Sequence, residues 1–162
     1  MRSIGAYFIV SPSGLNVAAS EATDVKLVRD SGSASQWDVF RRVDGRLLFR
    51  NVGTRAWLGV DACTLQQLCC CRLTCGVTES FRCYSACESR IALRGVIGLY
   101  ISQNAGASIT CNSESAGPHE AFLLVPCTEK ETKLASHYFV GSLPENRSVQ
   151  PSPTKRRKEE NP

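Results

Sequence analysis

The sequence predicts a single all-β domain made of three similar units of about forty residues each. Short apolar runs separated by turn residues recur roughly every ten positions as far as residue 127, a spacing typical of β-sandwiches and barrels. These runs fall into three sets of four, with repeats at about residues 5–43, 44–87 and 88–127. A unit of this size cannot bury its own apolar face, so we expect the three units to pack on one another.

The three sets align with one another through their large apolar residues. The last run of each set opens with an aromatic residue, at Trp37, Phe81 and Phe122. The other matched positions are Ile9, Phe49 and Leu93 in the first strands, Val17, Leu58 and Ile101 in the second, Trp57 with Tyr100, and Cys83 with Leu124. Three four-stranded units that close on each other leave no free sheet edge. An unrelated β-sandwich with chance matches is the alternative.

The third unit carries a family resemblance. In "RIALRGVIGLYISQNAGASITCNSESAGPHEAFLLV", Arg94 ends the first strand, Gly98 precedes Tyr100, and Gly117 to Glu120 lead into Phe122. This pattern resembles one repeat of a fascin-type β-trefoil, and the resemblance covers about residues 5–127. It implies a single β-trefoil of three four-stranded repeats. "IALRGV" is also similar to fibroblast growth factors, and "YFIVSPSG" and "RNVGTRAWLGVD" resemble ricin-B-type lectins.

The fascin-like resemblance implies a non-catalytic binding module that contacts filamentous actin or another acidic protein surface. The candidate contact residues lie in a basic hairpin that joins units one and two, at Arg42, Arg46, Arg50 and Arg55. Strand alternation predicts that Arg42, Arg46 and Arg50 share an outer face with Asp44 and Leu48. The same alternation assigns Val43, Leu47 and Phe49 to the core. Arginine suits such contacts because its planar fork can pair with two carboxylate oxygens.

Two other ligand classes remain open. A carbohydrate-binding trefoil would need an exposed aromatic ring with an acid nearby, which Trp57 and Asp61 could supply, although the match of Trp57 with Tyr100 favours a packing role. A growth-factor-like, heparin-binding ligand would require an export signal that the N-terminal residues do not clearly show. Enzyme motifs such as phosphate-binding loops and zinc-binding His-Glu-x-x-His helices are missing from the sequence, so we expect no catalysis.

Seven of the nine cysteines lie between Cys63 and Cys87. Cys71, Cys75, Cys83 and Cys87 have spacings that would suit a tetrahedral zinc site. Cys69, Cys70 and Cys71 are consecutive, so in a strand their side chains would alternate faces and could not all reach one ion. Reduced packing or surface thiols are the favoured interpretation, with zinc or disulfides as the alternatives. Apart from zinc, no cofactor is expected.

The charge pattern separates the body of the chain from its C-terminal end. The formal net charge is +4, and about half of it lies near the C-terminus, so a nucleic-acid partner is not expected. No apolar run is long enough to span a bilayer. Residues 128–143 are predicted to form an extension or edge strand, and residues 144–162 a disordered basic tail. In the tail, Lys155, Arg156, Arg157 and Lys158 have the form of a nuclear-import signal, and Ser152 precedes a proline as a kinase site would. The expected location is cytoplasmic, nuclear or both.

Overall fold

The computed structural model describes residues 1–20, 24–61, 63–64, 66–87, 89–105 and 108–127, which form twelve β-strands. Their bounds are β1 Arg2–Val10, β2 Asn16–Ala19, β3 Val25–Val28, β4 Gln36–Arg41, β5 Leu47–Asn51, β6 Trp57–Val60, β7 Leu68–Arg72, β8 Arg82–Ser85, β9 Ile91–Arg94, β10 Tyr100–Gln103, β11 Ile109–Ser113 and β12 Leu123–Pro126. The predicted extension and tail lie outside the described residues.

The first and fourth strands of the three units form a closed ring. Strand β1 pairs with both β4 and β12, β4 pairs with β5, and β8 pairs with β9. The ring closes within units two and three through backbone hydrogen bonds between Leu47 and Phe81 and between Ile91 and Phe122. The remaining strands form the hairpins β2–β3, β6–β7 and β10–β11, whose third strands contact one another. The fold is therefore the predicted β-trefoil.

The core is made of the positions that the repeat alignment predicted. Trp37, Phe81 and Phe122 are fully buried, and the matched apolar residues of the first and second strands surround them. The indole Nε1 of Trp37 donates a hydrogen bond of 2.8 Å to the carbonyl oxygen of Val17, which satisfies its polar atom inside the core.

The predicted faces of two hairpin residues, Val43 and Leu48, were wrong. Val43 was assigned to the core, yet it is fully exposed, because residues 42–46 form a turn closed by the hydrogen bond from Arg42 N–H to Arg46 O. Alternation restarts only after the turn, and Leu48, assigned to the outer face, is buried. The third strand of unit two begins at Leu68 and contains the cysteine trio.

In the described part of the chain, no helix is long and apolar enough to cross a membrane.

Candidate functional site

Among the described residues, two aspartates lie close to the four arginines of the basic hairpin. Asp44 lies 3.6 Å from Arg42 and 3.7 Å from Arg46, measured from the carboxylate oxygens to the Nε atoms. Asp38 accepts a hydrogen bond of 3.0 Å from Arg50 and lies 3.9 Å from Arg55. The hairpin therefore keeps an excess of positive charge, but each arginine has an acidic neighbour.

Trp57 is a packing residue, not an exposed platform. Its side chain is 5% exposed, its ring centroid lies 5.3 Å from that of Phe40, and its Nε1 donates to Leu73 O at 3.2 Å. The guanidinium carbon of Arg50 lies 5.7 Å from the ring centre. The alternative glycan site at Trp57 and Asp61 requires an exposed aromatic ring. The indole of Trp57 does not meet this requirement, because other residues of the protein cover it.

Asp61 has a local role in the turn that follows β6. Its carboxylate accepts the backbone N–H groups of Thr64 at 2.8 Å and Cys63 at 2.9 Å. These two hydrogen bonds hold the pKa of Asp61 below its ordinary value, because they favour the ionised form.

The cysteine segment does not gather a metal site. All nine cysteines lie in the described part of the chain and are free thiols. No three His, Cys, Asp or Glu side chains of that part stand close enough to hold a metal ion. The structure therefore does not bring together Cys71, Cys75, Cys83 and Cys87, the residues of the alternative zinc interpretation. Cys83 and Leu124, which the repeat alignment matches with each other, are both partly buried and both pack against the core.

The cysteine trio alternates as a strand requires. Cys70 points inward and donates to Ala56 O at 3.4 Å, whereas Cys69 and Cys71 share the outer face with their sulfurs 3.8 Å apart. Burial raises the pKa of Cys70 to about 11, and burial together with the hydrogen bond from Cys71 raises the pKa of Cys69 to about 12. Both thiols are therefore protonated at neutral pH and are poor nucleophiles or metal ligands.

A cavity of about 680 Å³ lies where the third strands of the three units meet. We call it the axial cup. Its floor is apolar, formed by Val25, Leu68 and Ile109. The hydrogen-bonding side chains around it are Ser20, Asp24, Lys26, Thr64, Gln66, Gln67, Ser108 and Thr110.

Four side chains of the axial cup are available to a ligand. Asp24, Lys26, Gln66 and Gln67 are all exposed, and none of these side chains forms a hydrogen bond or an ion pair within the described residues. The backbone that carries them is fixed by a bridge between Asp24 and Cys69 and by another between Gln67 and Thr110. The cup therefore combines a rigid frame with unused carboxylate, ammonium and carboxamide groups.

Sequence reasoning missed the axial cup because its residues come from three distant segments. It recognised the residues that precede the fourth strand in unit three, Gly117 to Glu120, but missed that the same motif recurs in the other two units. Gly76, Glu79 and Phe81 have the same spacing as Gly117, Glu120 and Phe122, and Gly32, Ser35 and Trp37 follow it in unit one. In units two and three the glutamate is buried and accepts the glycine N–H, at 2.6 Å and 2.8 Å.

No protein-family model matches the sequence, and no curated protein matches it significantly. Solved structures do match its fold. A designed three-fold symmetric protein, ThreeFoil, superposes with a TM-score of 0.67 at 18% identity, over 75% of this chain and 98% of that one. A mosquitocidal holotoxin gives a TM-score of 0.70 at 8% identity, over 81% of this chain and 17% of the toxin. An endo-β-galactosidase from Clostridium perfringens that releases GlcNAcα1-4Gal gives 0.66 at 12% identity, over 76% of this chain and 33% of the enzyme.

These identities are low, so the matches establish the fold and not a shared ligand or role. The tail residues Ser152 and Lys155 to Lys158 lie outside the described residues, and their assigned roles stay predictions.

Proposed function

We propose that this protein is a non-catalytic carbohydrate-binding module that holds a sugar in the axial cup. The observation that carries the proposal is the set of four exposed polar side chains, Asp24, Lys26, Gln66 and Gln67, that have no partner among the described residues and surround the apolar floor of the cup. A cavity of 680 Å³ is within the range usual for small-ligand sites, which combine apolar walls with a few polar groups. The similarity to a galactosidase that acts on a glycan supports the choice of ligand class.

The chemistry of the cup suits a ligand rich in hydroxyl groups. The carboxylate of Asp24 can accept two hydroxyl hydrogens, and the amide groups of Gln66 and Gln67 can both donate and accept. Lys26 adds three donors. No aromatic side chain is among the described residues that line the cup, so recognition would depend on hydrogen bonds more than on ring stacking.

A panel of neutral mono- and disaccharides, followed by calorimetry, tests this function. We expect Asp24→Asn and Gln67→Ala each to weaken binding about tenfold, the cost of one or two lost hydrogen bonds. Asp30→Asn is the matched control, since Asp30 is exposed but does not line the cup. Absence of binding across the panel, or binding that both cup variants retain in full, would refute the proposal.

A second candidate function is contact with an acidic protein surface, such as an actin filament, through the basic hairpin. Its support is the tip of the hairpin, where the fully exposed Val43 stands between Arg42 and Arg46. Such an apolar residue within a basic rim is a feature of docking surfaces. Co-sedimentation with filaments at low and moderate salt tests it: pelleting should fall with salt and with Arg42→Ala combined with Arg46→Ala. Unchanged pelleting would exclude the hairpin.

A further inference from the structure

The three pseudo-equivalent junctions between a fourth strand and the next first strand differ in charge. At the first junction Asp38 stands directly across from Arg50, and the two side chains form an ion pair of 3.0 Å. At the third junction the equivalent pair is Leu123 and Val10, which is apolar. Cross-strand pairs of opposite charge and pairs of apolar residues both stabilise the pairing of neighbouring strands.

The second junction breaks this pattern. Arg82 occupies the position of Asp38 and stands directly across from Arg94, the equivalent of Arg50. Side chains opposite one another on antiparallel strands lie about 5 Å apart at Cβ, and like charges there destabilise the sheet. Neither arginine forms an ion pair with the described part of the chain. A like-charge pair that has no acidic partner among the described residues is the arrangement expected where an external anion supplies the missing charge.

Arg94 is also held in place. Its Nε donates a hydrogen bond of 2.6 Å to Gly98 O, and its guanidinium carbon lies 5.4 Å from the ring centre of Tyr100. The remaining N–H groups of Arg94 form no hydrogen bond with the described residues. A guanidinium fixed by a carbonyl on one side and an aromatic ring on the other loses little entropy when it binds a ligand.

Two tyrosines complete the surface. Tyr84 lies on the same face of β8 as Arg82, and its ring centroid lies 5.9 Å from that of Tyr100 in an edge-on arrangement. Both rings are half-buried, and neither phenolic hydroxyl is used in a hydrogen bond with the described residues. At the first junction the equivalent residues, Phe40 and Trp57, have no hydroxyl group.

We propose that Arg82, Arg94, Tyr84 and Tyr100 form a binding site for a tetrahedral oxyanion, sulfate or phosphate, either free or as the ester group of a sugar. The two arginines supply charge and several N–H donors, and the tyrosines supply hydroxyl donors at the rim. This site is separate from the axial cup and does not depend on the proposed function of the cup.

The first test is an NMR titration of the full chain with inorganic sulfate and with inorganic phosphate. We expect saturable shifts at residues 82–84 and 94–100, with a dissociation constant of about 1 mM for the free ions. Arg82→Ala and Arg94→Ala should each weaken binding about tenfold. Arg29→Ala removes the same charge from an exposed position elsewhere and should leave binding unchanged. Shifts that are unsaturable, or equally reduced by Arg29→Ala, would overturn the proposal.

A charge reversal separates binding from folding. Arg82→Asp recreates the arrangement of Asp38 and Arg50, so we expect the variant to melt at a higher temperature than the native chain and to lose anion binding. Retained sulfate binding in this stably folded variant would overturn the site.

Glucose 6-sulfate and glucose 6-phosphate, each compared with glucose, identify the source of the anion. Tighter binding of an ester than of the free ion assigns the site to a sugar ester, and equal binding assigns it to the free ion. If glucose itself binds and Arg94→Ala weakens that binding by the same factor, the site does not recognise the anion.

Discussion

Glu79 folds back onto Gly76: its buried Oε2 accepts the glycine N–H at 2.6 Å, while Oε1 accepts the hydroxyl of Thr78 at 2.7 Å. Arg72 lies 3.6 Å from the same carboxylate. The glutamate thus fixes the turn that delivers Phe81 to the core, and Glu120 does the same before Phe122.

Glu79→Ala should lower the free energy of unfolding by about 1–2 kcal/mol, because it leaves the partly buried backbone N–H of Gly76 without an acceptor. Glu79→Gln keeps one acceptor oxygen and should cost less than half of that. Urea denaturation of the two variants beside the native chain measures the difference. Equal losses for the alanine and glutamine variants would mean that the hydrogen bond to Gly76 contributes little.

The variant Arg55→Gly should be more stable towards unfolding than the variant Arg55→Ala. Its φ of +62° places it in the left-handed region, where Gly14 and Gly98 stand in the equivalent turns of the other two units. Both substitutions remove the contact with Asp38, but only glycine relieves the backbone strain. We expect the free energy of unfolding of Arg55→Gly to exceed that of Arg55→Ala by about 1 kcal/mol. Thermal or urea denaturation would give the sign, and a more stable alanine variant would contradict the assignment of strain.

Trp57→Ala should destabilise the fold, since the ring is buried between Phe40 and Arg50. The expected loss is about 3 kcal/mol, typical of an aromatic side chain removed from a packed site. Trp57→Phe should recover most of it. A variant Trp57→Ala with native stability and altered ligand binding would instead restore the glycan role for this residue.

The protein should lose stability at alkaline pH through its buried thiols. Burial raises the pKa of Cys111 from 9.0 to about 11. A raised pKa means that the folded state holds the proton more tightly, so the contribution of this thiol is complete below pH 9 and declines as pH rises towards 11. The decline is about 1.4 kcal/mol per pH unit in that interval.

Cys111→Val is the comparison for this effect. Its stability should fall less steeply between pH 9 and 11 than that of the native chain, with both kept under reductant. Parallel curves would show that the Cys111 thiol does not titrate in this interval.

The buried aromatic residues explain why the fold was predictable. Trp37, Phe81 and Phe122 recur at matched positions, and a side chain of that size at the start of each fourth strand has room only inside the barrel. Val43 was misassigned because alternation was carried through a turn that Gly45, at φ +81°, allows.

The candidate sites were less predictable because they depend on register and convergence. The axial cup joins Asp24, Gln67 and Thr110, which no local pattern connects. The alignment does place Arg82 over Asp38, but the repulsion between Arg82 and Arg94 follows only from their direct pairing across two strands. Trp57 and Asp61 were joined as a site because they are close in sequence, and burial of the indole removes that possibility.

The divergence of the three junctions limits how the protein can act in an assembly. Rotation by one third of a turn about the pseudo-threefold axis of the trefoil places the ion pair of the first junction on the two arginines of the second. A further third places it on the apolar pair of the third junction. A polymer that recognises one of these junctions would therefore not find the same chemistry at the other two. For such a polymer a single chain would offer one contact at these faces, and crosslinking through them would require a second copy.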